Sequence, residues 1–171
     1  MEKFIVSARK YRPNNFTALV GQESIAVTLK NSIKRDQLAH AYDATEGAEH
    51  LLKRLHDAGV RVFTASNGIG EVMNGRVANA GLAKYLTGKF AADEVGAMKP
   101  SPKYFDYIFK HSGETDLSRT LMVGDNPVTD VNGAVEYGMV GALYGHRWQE
   151  ESKATYRAAT MAELEKMLFE E

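Results

Sequence analysis

The sequence predicts a three-layer α/β domain, in which a mostly parallel sheet carries helices on both faces. Two observations lead there. Short apolar runs at 60–65, 120–123 and 139–144 have strand length, and segments with helical apolar spacing alternate with them. The first two runs end in polar punctuation, Ser66-Asn67-Gly68 and Gly124-Asp125-Asn126. Open parallel sheets bind ligands at the carboxyl ends of their strands.

Taken in order, residues 4–8 (FIVSA) form a short β-leaning run, and 9–15 (RKYRPNN) a break. From Gln22 to about Arg35, Ile25, Ala26, Leu29 and Ile33 share one face of an amphipathic helix. Residues 43–47 are a turn able to cap the next helix, 48–58, whose apolar positions are Ala48, Leu51, Leu52 and Leu55 and which Gly59 stops. Strand 60–65 follows, then helix 69–80 and a weak strand at 89–92. Helix 102–111 directs Tyr104, Phe105, Tyr107, Ile108 and Phe109 mostly inward. Strand 120–123, helix 129–137 ended by Gly138, and strand 139–144 come next. A polar loop containing Trp148 leads to an edge strand at 156–159 and a terminal helix at 161–169.

With 171 residues the chain is one domain's length and can bury a real core. No apolar run approaches membrane-spanning length, and the first residues lack the apolar core of a signal peptide. Zero cysteines exclude disulfides, zinc-thiolate sites and thiol catalysis. A cytoplasmic location with no membrane partner is the expectation. The net charge of −1 conceals an asymmetry. Residues 1–40 carry seven Lys/Arg against three Asp/Glu, while residues 41–171 carry fourteen against nineteen. The two parts therefore differ in origin or role. Solvated surface charge is the commoner source of such a bias, and nucleic acid is not expected as a partner.

Two glycine patterns are decoys. Gly68-Ile-Gly70 opens a helix like a dinucleotide fingerprint, but Met73 stands where the third glycine belongs. Gly88-Lys89 hints at a phosphate loop, but Phe90 and Ala83 occupy its other defining positions.

A different set withstands the same scrutiny. Ser66 and Asn67 follow one strand, Lys99 sits in a Pro-bounded loop, and Asp125 and Asp130 follow another strand. Ser66 can hydrogen-bond a phosphate oxygen, as can amides at the following helix start. Lys99 can neutralise charge on a transferred phosphoryl group. Asp125 and Asp130 suit a hard, oxygen-ligated cation such as Mg2+. Each has a plainer alternative: Ser66-Asn67 as a helix cap, Lys99 as a surface lysine, Asp130 as an acceptor of loop amides. The histidines form no set, since His50 and His56 are six apart and His111 and His146 read as surface residues.

The runs RVFTASNG, VGAMKPSPKYF and LMVGDNPVTDVNGAVEYGM resemble the haloacid dehalogenase superfamily, mostly Mg2+-dependent phosphatases, from about residue 43 to the end. The resemblance implies a Rossmann-like core. It puts the family's phosphate-binding Ser/Thr on Ser66, its lysine on Lys99 and its metal-binding acids on Asp125 and Asp130, with Asp125 the direct ligand. Helix 48–58 corresponds to the helix after the family's cap insertion, so the cap is missing or reduced to the helix at 22–35. The family begins with a strand ending in Asp-x-Asp, whose first Asp attacks phosphorus. Residues 1–42 hold only Asp36 and no such pair. Asp43 is the one rescue candidate for nucleophile, though it lies only 23 positions before Ser66.

Residues 1–42 instead resemble the N-terminus of the bacterial DNA polymerase III gamma/tau clamp-loader subunit, without its ATP loop. The expected domains are thus a clamp-loader-like segment, 1–42, and a hydrolase core, 43–171, joined near Tyr42. The resemblance also implies that the family's first strand would lie between strands 60–65 and 120–123, and residues 4–8 are the candidate replacement. The functional expectation is an impaired phosphatase acting on a small phosphorylated molecule. The alternatives are a non-catalytic binder of inorganic phosphate or similar anions, and a module that engages replication proteins through residues 1–42. The oligomeric state is not readable.

Overall fold

The computed structural model describes residues 44–145 and 151–170. In chain order these form α1 (Ala48–Asp57), β1 (Phe63–Ser66), α2 (Gly70–Asn79), β2 (Gly88–Ala91), the short α3 (Ala92–Val95) and α4 (Pro102–Ser112). Then come β3 (Leu121–Gly124), a wide π-type turn (Pro127–Asn132) running into α5 (Gly133–Tyr137), β4 (Val140–Tyr144), β5 (Tyr156–Ala158) and α6 (Met161–Phe169). The runs at 4–8 and 22–35 lie outside the described residues, as do Asp43, His146 and Trp148.

Among the described residues, all strand pairs are parallel, in keeping with the alternation of elements. β1 pairs with β2, placing Ser66 opposite Ala91. β3, β4 and β5 pair in that order, placing Gly124 opposite Leu143. Among the described residues, the two groups of strands are not hydrogen-bonded to each other. One apolar cluster nevertheless spans both: Phe90 of β2 and Met122 of β3 pack with Tyr104, Phe105 and Ala134, and Phe63 and Ala65 of β1 lie against it. A second cluster joins Leu51 of α1 and Leu164 of α6 to Ala142, Ala158 and Leu121. Leu121 and Met122 are consecutive in β3, so they point to opposite faces of the sheet and place the clusters there too. Helices α4 and α5 thus cover one face and α1 and α6 the other, giving the expected three layers.

Aromatic packing strengthens the first cluster. Phe63 stacks on Phe90 with ring centroids 5.7 Å apart, and Phe105 meets Tyr137 at 5.2 Å. Across the second face, Glu165 of α6 accepts from Arg54 at 2.5 Å and pairs with His50 at 2.8 Å on α1. These two contacts hold the Glu165 carboxyl below its ordinary range, Arg54 contributing most.

Two of the expected elements start two or more residues away from where the sequence reading put them. The first strand starts at Phe63 rather than Val60, because Val60 belongs to the end of α1. Its amide donates to Leu55 O (2.9 Å) and the Gly59 amide to His56 O (2.9 Å), with Gly59 at φ 73°. That double closure ends the helix in a left-handed glycine and leaves Val60 47% exposed. The helix expected at 129–137 starts two residues earlier. The Asn126 side chain accepts from the Val128 and Thr129 amides (both 3.0 Å), and Pro127 occupies the first turn. The Asn126 carbonyl then receives both Asp130 N (3.1 Å) and Val131 N (3.3 Å), widening the turn.

Gly133 lets α5 reach the Lys99–Pro100 loop, since a Cβ there would lie 3.0 Å from Pro100 Cα. Gly133→Val is expected to destabilise the chain by about 1–3 kcal/mol through overpacking against that backbone. The shift in urea midpoint measures it. An unchanged midpoint would mean that the contact is loose.

Candidate functional site

The carboxyl ends of β1 and β3 converge on one side chain. Lys99 arrives from the loop between α3 and α4 and is 8% exposed overall. Its ammonium donates to Ala65 O in β1 at 2.5 Å and pairs with Asp130 Oδ1, beyond β3, at 2.8 Å. Both side chains are nearly buried, so the pair is stable only with its polar atoms satisfied. Asp130 meets that condition: Oδ2 accepts from Asn126 N (3.2 Å), and Thr129 Oγ1 donates to Oδ1 (3.3 Å).

Asn67 fixes the lysine loop from the other side. Its Oδ1 accepts from Lys99 N at 2.7 Å, and its Nδ2 donates to Lys99 O at 3.0 Å. The amide thus satisfies both backbone groups of one residue, as a neighbouring strand would. Tyr104 of α4 supports the floor. Its hydroxyl donates to Phe90 O at 2.9 Å and approaches Ser66 O at 3.3 Å. Burial pushes this phenol well above its ordinary pKa, so it remains a donor. Ser66 Oγ accepts from Gly68 N at 3.0 Å, which leaves its own proton free to be donated. Asp93 of α3 accepts from Gly70 N (2.9 Å), occupying the first amide of α2.

The structure therefore brings Ser66, Asn67, Lys99 and Asp130 together. Asp125 follows Gly124 at the end of β3 and is exposed. The reading of Lys99 as a surface lysine fails, since the ammonium is enclosed between two strand ends. The capping alternative for Ser66-Asn67 fails as well: α2 begins after Ile69 with no side-chain cap. Asp130 does accept a loop amide, and it holds the lysine in addition. Asp43 lies outside the described residues.

Sequence reading missed two contributors. Asn126 could have been found, because Asn before Pro is a helix-start signal. Tyr104 could not, because its spacing is that of any core aromatic.

For a cation, the donors are oxygen carboxylates of the hard type. Asp125 faces solvent and can ligate directly, whereas Asp130 is engaged by Lys99. Mg2+ is commonly held through one or two carboxylates, with waters and substrate phosphate completing its shell, so the residues fit it as a weakly held ion. Among the described residues no three His, Asp or Glu side chains form a closed metal cage. The described histidines lie elsewhere: His50 on Glu165, His56 edge-on to Tyr85, His111 stacked on Tyr107.

Comparison with known proteins bears on the family and the fold. Residues 5–138 match the hydrolase family described as haloacid dehalogenase-like hydrolase. The pyrimidine 5'-nucleotidase YjjG of Escherichia coli (strain K12) is 33% identical over 125 residues, covering 71% of this chain and 55% of that protein. A HAD phosphatase from Thermococcus onnurineus superposes with TM-score 0.70 at 26% identity, over 82% of this chain and 64% of that one. A magnesium-bound structure of YfnB from Bacillus subtilis superposes with TM-score 0.68 at 23% identity, over 72% and 55%. The chain spans about half the length of the curated relatives it matches.

Removing one member of the Lys99–Asp130 pair strands a buried charge. Asp130→Ala is expected to cost about 3–5 kcal/mol in chemical denaturation. Adding Lys99→Met to it should recover part of that loss, giving a coupling of at least about 1 kcal/mol in the double-mutant cycle. Strictly additive losses would show that the two charges do not interact.

Proposed function

The chain belongs to the haloacid dehalogenase-like hydrolases, and on that premise we propose that it carries a Mg2+-dependent phosphate monoester phosphatase site whose turnover is impaired. The observation that carries this reading is the enclosed Lys99 ammonium at the joint carboxyl end of β1 and β3. A cation fixed there, at the strand ends that Ser66 and Asp125 follow, suits a dianionic phosphoryl group.

Ser66 donates its free proton to a phosphate oxygen. The amino end of α2 adds a favourable dipole, although its Gly70 amide already serves Asp93. Lys99 balances charge that builds during transfer, and Asn67 holds its backbone in place. When bound, Mg2+ would supply further charge neutralisation on the Asp125 side.

Impairment follows from the missing nucleophile. Residues 1–42 contain Asp36 and no Asp-x-Asp pair. Without a carboxylate poised for in-line attack, the intermediate that divides hydrolysis into two easier steps does not form. Asp43 is the one residue that could restore it. Residues 1–42, with their clamp-loader likeness, are in this reading a foreign segment joined to the hydrolase core.

Small phosphorylated molecules are the substrate class. The likeness to a pyrimidine 5'-nucleotidase makes pyrimidine nucleoside monophosphates the first to test. A second reading, favoured by the absent aspartate pair, is a site that binds phosphate without turning it over.

The test follows phosphate release from an aryl phosphate and from a pyrimidine nucleoside monophosphate, with and without Mg2+. Asp125→Ala and Asp43→Asn variants run alongside, and calorimetry measures inorganic phosphate binding. The expected turnover is at least about a thousandfold below that of a phosphatase with an intact nucleophile, with phosphate binding weakened in Lys99→Met. Brisk turnover abolished by both Asp125→Ala and Asp43→Asn would overturn the impairment and make Asp43 the nucleophile. Phosphate binding without turnover would select the second reading. Absence of both would sink the assignment of the site.

A further inference from the structure

We propose that Tyr104 is a positioning residue for the anion site: its hydroxyl sets the peptide between Ser66 and Asn67 so that the Asn67 N–H faces the bound anion beside the Lys99 ammonium. The inference deepens the reading of the site as one that binds phosphate, and rests on it. It starts from a polar atom in an apolar place. Tyr104 is fully buried, and its cluster neighbours, Phe90, Val95, Phe105 and Met122 among them, are apolar. A phenylalanine would fill the same space without carrying a hydroxyl out of water, which is costly unless the group is bonded. The bonds of this hydroxyl lie at strand ends. It donates to Phe90 O of β2 at 2.9 Å and reaches Ser66 O, the last carbonyl of β1, at 3.3 Å. One proton facing two acceptors makes a three-centre bond. Ala65 stands opposite Phe90 and Ser66 opposite Ala91, so the hydroxyl closes the carboxyl end of this ladder from the α4 face.

The direction of one peptide follows. Successive carbonyls of a strand point to opposite edges. Ala65 O meets the Lys99 ammonium at 2.5 Å, and Ser66 O turns the other way, to Tyr104. Among the described residues the cis peptide bond is Lys99–Pro100, so the bond after Ser66 is trans. A planar trans peptide carries its C=O and N–H in opposite directions. Holding Ser66 C=O toward Tyr104 therefore holds Asn67 N–H toward the Lys99 edge. The side chain of Asn67 is already committed, since it bonds both backbone groups of Lys99. The peptide is thus clamped from two directions, by the α4 hydroxyl and by the lysine loop. An N–H fixed in this way adds a preorganised dipole to the ammonium and the Ser66 hydroxyl, and little has to move when an anion arrives.

Tyr104→Phe removes the hydroxyl and keeps the ring. Ile108→Ala is the control, because Ile108 packs against the same cluster from the same helix and carries no polar side-chain atom. Calorimetry measures inorganic phosphate binding to the full chain and to both variants, and urea denaturation measures their stability. The expected result is phosphate affinity at least about fivefold weaker in Tyr104→Phe. Ile108→Ala should lose stability and keep its phosphate affinity. Heteronuclear NMR supplies a second readout: phosphate should move the Asn67 amide proton of the unaltered chain downfield, and that shift should be largely lost in Tyr104→Phe. Equal affinity in Tyr104→Phe and the unaltered chain overturns the positioning role and leaves the phosphate site standing. Equal weakening in Ile108→Ala assigns the effect to the apolar floor and overturns it as well. So does an Asn67 amide that ignores phosphate in the unaltered chain, or one that shifts in full in Tyr104→Phe. No phosphate binding by the unaltered chain removes the premise, and the proposed function falls together with this inference.

Discussion

The interaction on which the site depends is the contact of one ammonium with two strand ends. Lys99 Nζ lies 2.5 Å from Ala65 O and 2.8 Å from Asp130 Oδ1. These oxygens belong to parts of the sheet that no backbone ladder joins among the described residues. The lysine therefore acts as a structural tie as well as a chemical group. Below it, Tyr104 and Phe105 of α4 pack under β1, β2 and β3 and keep both parts on one apolar floor. The tie fixes the level of the strand ends, and the floor fixes their plane.

Around this centre the supporting groups divide by role. Asn67, Asn126 and Thr129 place backbone and carboxylate, and Tyr104 anchors α4 to strand carbonyls. Among the described residues, the Ser66 proton and the Asp125 carboxylate stay available to something from outside. A site with its supports satisfied and two groups left open is suited to receive a charged ligand, since little reorganisation remains.

Much of this was legible in the sequence. Strand and helix order followed from apolar spacing, and β2, β4, β5 and α6 lie within a residue or so of their expected bounds. The grouping of Ser66, Lys99 and Asp130 followed from two positions after strands and one in a Pro-bounded loop beside them. What failed to be legible depended on hydrogen bonds that residue type does not announce. Val60 is as apolar as any strand residue, and only its amide bond to Leu55 O assigns it to the end of α1. The short α3 was missed because four residues carry no period. The partner of Lys99 could be guessed as a ligand or as solvent, but not as Asp130, because a buried ion pair between loops has no local pattern. Asn67 was grouped with the site residues beside Ser66, and its side chain acts on the Lys99 backbone.

That last feature separates two properties that usually travel together. Asn67 grips only the N–H and C=O of Lys99, groups that every amino acid except proline presents in full. The loop is held by something blind to the side chain it displays. Within this scaffold, the address of the charged group and its chemical identity are therefore written in different residues. Asn67 would hold the backbone at position 99 under any side chain, whereas the tie to Ala65 O and Asp130 Oδ1 is the lysine's alone.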